Sequence, residues 1–283
     1  MSSSSKRFWP KKLSDWGAFI FVQSGIHLVG FYELLVILPY IDSDRSNTFW
    51  FHVCFGLCLY FNTISSFILV MRTDTTTSRD GVIMPSTLKP GWRFCSSCEA
   101  NSPPRAYHCW CCDICILRRD HHCVFTGNCV GFANHRYFIL LIFYIMVGAL
   151  YCNYLNMDYT LEVLGGFGLK TVFTMFMPLF SWMLGLTQTF NFLVAFVSAL
   201  CLFGFLLAAG LLFYHLINIY HGQTTYERGQ NIREWDCGWK QNVRQVLGER
   251  WYLIWISPWI KSPQGGDGIN FPKRGIFEDV KDL

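Results

Sequence analysis

The stretch that decides the reading runs from Cys95 to Phe138: CSSCEANSPPRAYHCWCCDICILRRDHHCVFTGNCVGFANHRYF. Eight of the chain's 13 cysteines lie between Cys95 and Cys129. Their spacing repeats. Cys95, Cys98, His108 and Cys115 are separated by steps of 3, 10 and 7; Cys109, Cys112, His122 and Cys129 show the same steps, 14 residues further on. Each set offers three thiolates and one imidazole, a closed tetrahedral shell for structural zinc. The sets interleave, so the loops of one finger are expected to pass through the other. Spacing alone leaves other pairings open, and repeat symmetry favours this one. Metal also answers a folding problem, because so few aliphatic residues cannot build much core.

Cys111 and Cys123 are left over. Cys111 reads as packing beside Cys112. Cys123 stands 14 residues after Cys109, where a third unit would begin, but the next ligand positions hold Thr126 and Arg136. It therefore reads as a free thiol in a rigid scaffold. A thiol is a poor nucleophile at neutral pH until a base or positive charge favours the thiolate. If His122 ligates metal, His121 remains available as that base, with Asp120 to fix its tautomer. Arg118 and Arg119 add positive potential. The competing reading is a surface His-His pair beside a bystander thiol.

Outward from this stretch the chain turns apolar. The 283 residues are 52% hydrophobic and only 15% charged, which excludes a disordered chain and argues against a plain soluble enzyme. A bilayer-crossing helix needs roughly 20 mostly apolar residues. Four runs qualify: Gly17 to Tyr40, Phe49 to Met71, Tyr137 to Met157 and Phe192 to Leu216. Thr171 to Gly185 is apolar but short and broken by Pro178, and reads as a luminal or interfacial segment within the 158–191 loop. Lys and Arg accumulate on the cytoplasmic face, and four spans put 21 of the 23 on one side. The expected fold is an all-α multi-pass membrane protein with four transmembrane helices. A cytosolic N-terminal tail (1–16) leads into a transmembrane hairpin (17–71). A cytosolic cysteine-rich domain (72–136) binding two structural zinc ions separates helices 2 and 3, and a cytosolic C-terminal tail (217–283) ends the chain. In a reducing compartment, clustered cysteines favour metal over disulfides. The first apolar run is too long for a cleavable signal peptide. Glu33 within it reads as bundle-buried or protonated rather than catalytic.

The run from Cys95 through Asp120-His121-His122-Cys123 to Cys129, Asn134 and Phe138 resembles the DHHC protein S-acyltransferases, the integral-membrane palmitoyltransferases, with every spacing of the signature met across 44 residues. Thr224-Thr225-Tyr226-Glu227 is similar to the family's Thr-Thr-x-Glu motif, and Asn242 to its C-terminal asparagine. The resemblance covers most of the chain beyond the N-terminal tail. It implies a two-step transfer from a long-chain fatty acyl-CoA such as palmitoyl-CoA, through an acyl-enzyme at Cys123, to cysteines of membrane-associated proteins. His121 would be the general base and Asp120 its orienting partner, contacted by Thr225. Thr225, Glu227 and Asn242 would give structural support, Asn242 by capping a terminal helix. The zinc ions would be structural. The family's usual address, Golgi or endoplasmic reticulum membrane with the site facing the cytosol, is expected here.

Phe138 follows fifteen residues after Cys123, which places the sulfur at the membrane boundary. The polyanionic CoA headgroup needs cations, and Arg105, Arg118 and Arg119 are the candidates, against a plain reading as solvated or lipid-facing charges. The chain departs from the family at Ser102, where a basic residue is common, and at Thr73-Asp74-Thr75, where Asp-Pro-Gly is common. Gly148 lies roughly 16 Å along the third span; it would leave room for the acyl chain, against simple helix packing. The rival classes are an inactive zinc-stabilised adaptor and a membrane-anchored ubiquitin ligase. The first would show damage at Asp120, His121 or Cys123, and none is seen; the second needs a different ligand spacing. No nucleic-acid partner is expected, because the basic residues form no continuous stripe.

Overall fold

The computed structural model describes residues 9–274. Apolar runs dictate its main elements. Helix α1 (Leu13–Tyr32) continues through a π-helical segment, Glu33–Ile37, into α2 (Leu38–Ile41), and α3 (Asn47–Arg72) follows. Pro39 accounts for the irregular turn: its ring clashes with the carbonyl four residues back, and widening the helix relieves the clash. Further on come α4 (His135–Leu164), the short α5 (Leu169–Phe176) and α6 (Pro178–Met183), then α7 (Thr189–Tyr220), α8 (Thr225–Gly229) and α9 (Trp239–Leu247). The pieces Leu13–Ile41, Asn47–Arg72, His135–Leu164 and Thr189–Tyr220 are long and apolar enough to cross a membrane. They expose large apolar side chains such as Phe21, Phe31, Phe51, Phe61 and Phe213, a surface suited to lipid rather than water. The Thr171–Gly185 run folds largely into α5 and α6, of eight and six residues, neither long enough to cross.

The chain divides into two compact units. One is built from residues through Ile20, Ile64–Leu141 and from Leu212 onward; the other from Phe21–Thr63 and Ile142–Leu211. In the second, Ile37, Leu38, Phe49 and Leu155 form a buried cluster. Among the polar side chains there, the Thr160 and Ser198 hydroxyls meet at 2.7 Å, and Asn191 Nδ2 donates to Val163 O at 3.0 Å.

The first unit corrects the all-α expectation. Its cysteine-rich segment is a tandem of three antiparallel hairpins: β1 (Arg93–Cys95) with β2 (Ala100–Ser102), β3 (Tyr107–Cys109) with β4 (Ile114–Ile116), and β5 (His121–Cys123) with β6 (Asn128–Val130). The 14-residue repeat of the sequence is thus a repeat of hairpins. The turn residues Glu99, Asp113 and Gly127, also 14 apart, all adopt positive φ, at 49°, 55° and 62°. Three-residue strands are too short to carry a period-two pattern, so composition alone hides them. Nor do two fingers thread through each other. Each ligand set bridges two successive hairpins, and the cross-strand pairs His108↔Cys115 and His122↔Cys129 bring imidazole and thiol side by side.

The hairpins are anchored by a few polar side chains. Asn134 Nδ2 donates to Val70 O at 3.1 Å and Cys129 O at 2.9 Å, and its Oδ1 accepts from Gly131 N at 2.8 Å. Thr75, within the divergent Thr73-Asp74-Thr75, accepts from Leu117 N through its carbonyl and from Ala133 N through Oγ1. Ala106, Leu117 and Phe132 form the local core, with Ile269 and Phe271 of the C-terminal segment packed on it. Asn134→Ala leaves three buried backbone groups without this partner. It should cost on the order of 3 kcal/mol, read as a lowered Tm in detergent; an unchanged Tm would mean that other groups satisfy them.

Candidate active site and metal clusters

Two groups of four ligands close in space. Cys95, Cys98, His108 and Cys115 form one, and Cys109, Cys112, His122 and Cys129 the other; within each, the ligand atoms lie within 4.8 Å of one another. A tetrahedron with Zn–S bonds of 2.3 Å has sulfur–sulfur edges of about 3.8 Å. The Cys98–Cys115 and Cys112–Cys129 sulfurs stand 3.7 and 3.6 Å apart. His108 Nδ1 lies 3.8 and 3.3 Å from the sulfurs of Cys95 and Cys98, and His122 Nδ1 lies 3.4–3.7 Å from the three sulfurs of its set. Donor chemistry and spacing both fit zinc, and both sets match the pairing that the repeat selects.

Cys123 closes the third hairpin at the position that Cys95 and Cys109 hold in the first two. Where those have a second cysteine three residues on, this hairpin has Thr126, whose amide donates to Cys123 O at 3.3 Å. The thiol is buried, 6% exposed, and meets the His121 side chain. On the other side of that ring, Nδ1–H donates to Asp120 Oδ2 at 2.7 Å. Asp120 in turn accepts from Thr225 twice, from the amide at 2.9 Å and from the hydroxyl at 2.8 Å. Thr225 is presented by α8, which Thr224 and Glu227 start with a reciprocal capping box.

The electrostatics follow from this geometry. Burial pushes the Asp120 carboxyl up, but His135, His121 and His215 outweigh it and hold Asp120 well below the ordinary carboxylate range. Burial pushes the His121 imidazole down, yet the bond to Asp120 and the contact with Cys123 prevail and raise it to about 9. Burial pushes the Cys123 thiol up, and His121, helped by Thr126, more than offsets this, leaving it lowered. The arrangement favours a thiolate–imidazolium pair.

The three arginines expected at an acyl-CoA headgroup fare differently. Arg105 is fully buried and bidentate to Glu227, with both N···O distances at 2.7 Å, and it also donates to Gly222 O at 2.8 Å. Trp235 and Phe271 cover its guanidinium at 5.3 and 4.9 Å from their ring centroids. This pairing corrects the headgroup expectation for Arg105, since its charge is already spent on Glu227. Arg118 is 1% exposed, and among the described residues its guanidinium nitrogens have no hydrogen-bond partner. Burial, then Arg105, push it down to about 9. Arg119 is half-buried. Asn242 lies within α9 rather than capping it: its Nδ2 donates to Tyr220 O at the end of α7, at 2.8 Å, and to Asp236 at 2.7 Å. Gly148 is in the second unit, where a Cβ would meet nothing within 4 Å. An apolar groove of about 350 Å³ in that unit is lined by residues including Tyr32, Tyr159 and Phe196, and Gly148 is not among them.

Sequence reasoning missed two histidines. His135 and His215 place ring nitrogens within 4.8 Å of the Asp120 carboxylate, and the His215 ring stands 5.4 Å from that of His121. A signal was available for His215, a histidine in an otherwise apolar run, but not for His135, which stands between Asn134 and Arg136.

Fold and site together define a helical protein with four membrane-apt helices and a tandem Cys3His domain that carries a spare, histidine-paired thiol. The DHHC palmitoyltransferase family model matches residues 88–232, and the chain belongs to that family. It is 35% identical to "Probable palmitoyltransferase ZDHHC24" of Danio rerio over 88% of this chain and 86% of that protein. The Homo sapiens protein of that name is 35% identical over 74% of each chain. Human "Palmitoyltransferase ZDHHC15" is 31% identical over 68% of this chain and 53% of its own length.

Two outcomes follow from the geometry. Glu227→Gln strands the buried Arg105 charge and should destabilise the fold by about 3–5 kcal/mol, measured by thermal unfolding; a change below about 1 kcal/mol would show the pair to be dispensable. His121→Ala removes the main group that lowers Cys123 while leaving the burial that raises it. The pH midpoint for alkylation of Cys123 by iodoacetamide should therefore move up, with reactivity lost first at the acid end. An unshifted midpoint would remove His121 from the activation of the thiol.

Proposed function

We propose that the protein is a protein S-palmitoyltransferase with Cys123 as its nucleophile. The observation that carries this is the line Thr225–Asp120–His121–Cys123, in which a thiol free of both metal sets meets an imidazole oriented by a buried carboxylate. In the first half-reaction the Cys123 thiolate attacks the acyl carbonyl of a fatty acyl-CoA. A carbon–sulfur bond to Cys123 forms, the bond to the CoA sulfur breaks, and the departing CoA thiolate takes the His121 proton. In the second, a cysteine of a membrane-associated protein gives its proton to His121 and attacks the Cys123 thioester, and Cys123 leaves as thiolate. Asp120 holds His121 in the tautomer that performs both transfers and stabilises its imidazolium.

The two ligand sets hold structural zinc in this reading: Cys95, Cys98, His108 and Cys115 in site 1, and Cys109, Cys112, His122 and Cys129 in site 2. Zinc with four protein ligands supplies stability rather than a reactive position. Arg119, the half-buried member of the arginine trio, meets the CoA phosphates, while Arg118 adds positive potential from within. Gly148 leaves space for the acyl chain. The distribution of Lys and Arg supports a site facing the cytosol, in a Golgi or endoplasmic reticulum membrane.

Autoacylation tests the proposal. Purified protein incubated with an alkynyl palmitoyl-CoA should acquire hydroxylamine-sensitive label, and Cys123→Ser should acquire none. Equal label on both would remove Cys123 as nucleophile. No label on a folded wild type carrying two zinc ions would favour an inactive adaptor.

A further inference from the structure

His122 has two ring nitrogens with different neighbours. Nδ1 faces the sulfurs of Cys109, Cys112 and Cys129 at 3.7, 3.4 and 3.6 Å. Nε2 lies 3.1 Å from Asp15 Oδ2, across 107 residues of sequence. Asp15 is itself buried, 2% exposed. With a metal held at Nδ1, the proton would sit on Nε2 and be donated to this carboxylate. A carboxylate behind a metal-bound imidazole fixes the ring's tautomer and orientation and raises its basicity.

Asp15 is held in place by more than one contact. Pro10 packs against the third hairpin so closely that a Cβ at Gly127 would stand 2.5 Å from its Cγ. Lys11 Nζ donates to Cys112 O, on the peptide of a site 2 ligand. Trp16 stacks on Trp9 at 5.7 Å and meets Phe19 edge-on at 5.7 Å, and Phe19 meets Phe67. Segment 10–15 is therefore clamped over site 2 by apolar, backbone and charged contacts.

Site 1 offers a comparison within the same molecule. The carboxylate facing His108 Nε2 is Asp113, at 3.7 Å, and its side chain is 82% exposed. That is too long for a hydrogen bond and open to solvent. The two sites match in ligand type and spacing but differ in what stands behind the histidine.

We propose that Asp15 is a positioning residue of site 2, and that the segment Pro10–Asp15 sets how tightly this site holds its metal. The idea rests on the zinc reading given above. His122 immediately precedes Cys123, so the same contact steadies the strand that carries the nucleophile.

The test is metal release from purified full-length protein, with a chromophoric chelator as the probe. Wild type should hold two zinc ions and release them in two phases of equal amplitude. Asp15→Asn should speed one phase about tenfold or more and leave the other unchanged, while Asp113→Asn leaves both near wild type. Asp15→Glu, which keeps the charge, should release that metal more slowly than Asp15→Asn and serves if the amide variant does not fold. Unchanged phases in Asp15→Asn, or equal acceleration of both, would overturn the proposal and leave the zinc reading standing. A wild type holding fewer than two zinc ions would overturn the zinc reading and this inference with it.

Discussion

A buried carboxylate has to be paired, and Asp120 is the one on which the site depends. An unpaired ion of this kind costs several kcal/mol to bury. Thr225 and His121 supply three hydrogen bonds at 2.7–2.9 Å. Thr225 lies 105 residues away, so the electrostatics of the site do not exist until the segment after α7 has docked on the hairpins. The same short helix makes a second tie, since Glu227 takes the buried Arg105. The four-residue motif Thr224–Glu227 therefore does three jobs: Thr224 caps the helix, Thr225 serves Asp120, and Glu227 both closes the cap and neutralises Arg105. Removing any one of them exposes a buried charge or an unmet donor to the others.

The hairpin repeat explains where the spare thiol sits. Two successive hairpins share the first ligand set and the second and third share the next, so the first knuckle position of the third hairpin falls beyond the last set. Cys123 occupies that position. It keeps the backbone conformation of a ligand-bearing knuckle without a second cysteine to complete it, because Thr126 stands where Cys98 and Cys112 stand in the earlier hairpins. A thiol placed this way is held by the rigid neighbouring strand and is left free for a base.

Much of this was legible in the sequence, for identifiable reasons. Four apolar runs of membrane length announce four long helices, and equal steps between cysteines and histidines announce the two ligand groups. The tie between Thr225 and Asp120 came only through family resemblance. The hairpins were not legible, because strands of three residues carry no periodicity. Nor were the ion pair of Arg105 with Glu227 or the contact of Asp15 with His122, since partners separated by more than 100 residues leave no local signal. Arg105 shows the cost of that blindness. An arginine in a cysteine-rich segment suits an anionic ligand equally well until its internal carboxylate is seen.

The remaining puzzle is Arg118, a buried guanidinium whose nitrogens find no hydrogen-bond partner among the described residues. It is tolerable because charge is balanced around it rather than at it. The charged groups that act on it are Arg105, Glu227 and Asp120, so the set holds two cations and two anions. The His121–Cys123 pair adds no net charge whichever of the two carries the proton. A site of this kind can pass a proton between imidazole and thiol without changing its total charge, and in a water-poor interior such a change would be the expensive step. Arg118 then offsets the Asp120 anion from a distance. Direct pairing would have competed with His121 and Thr225 for the same oxygens.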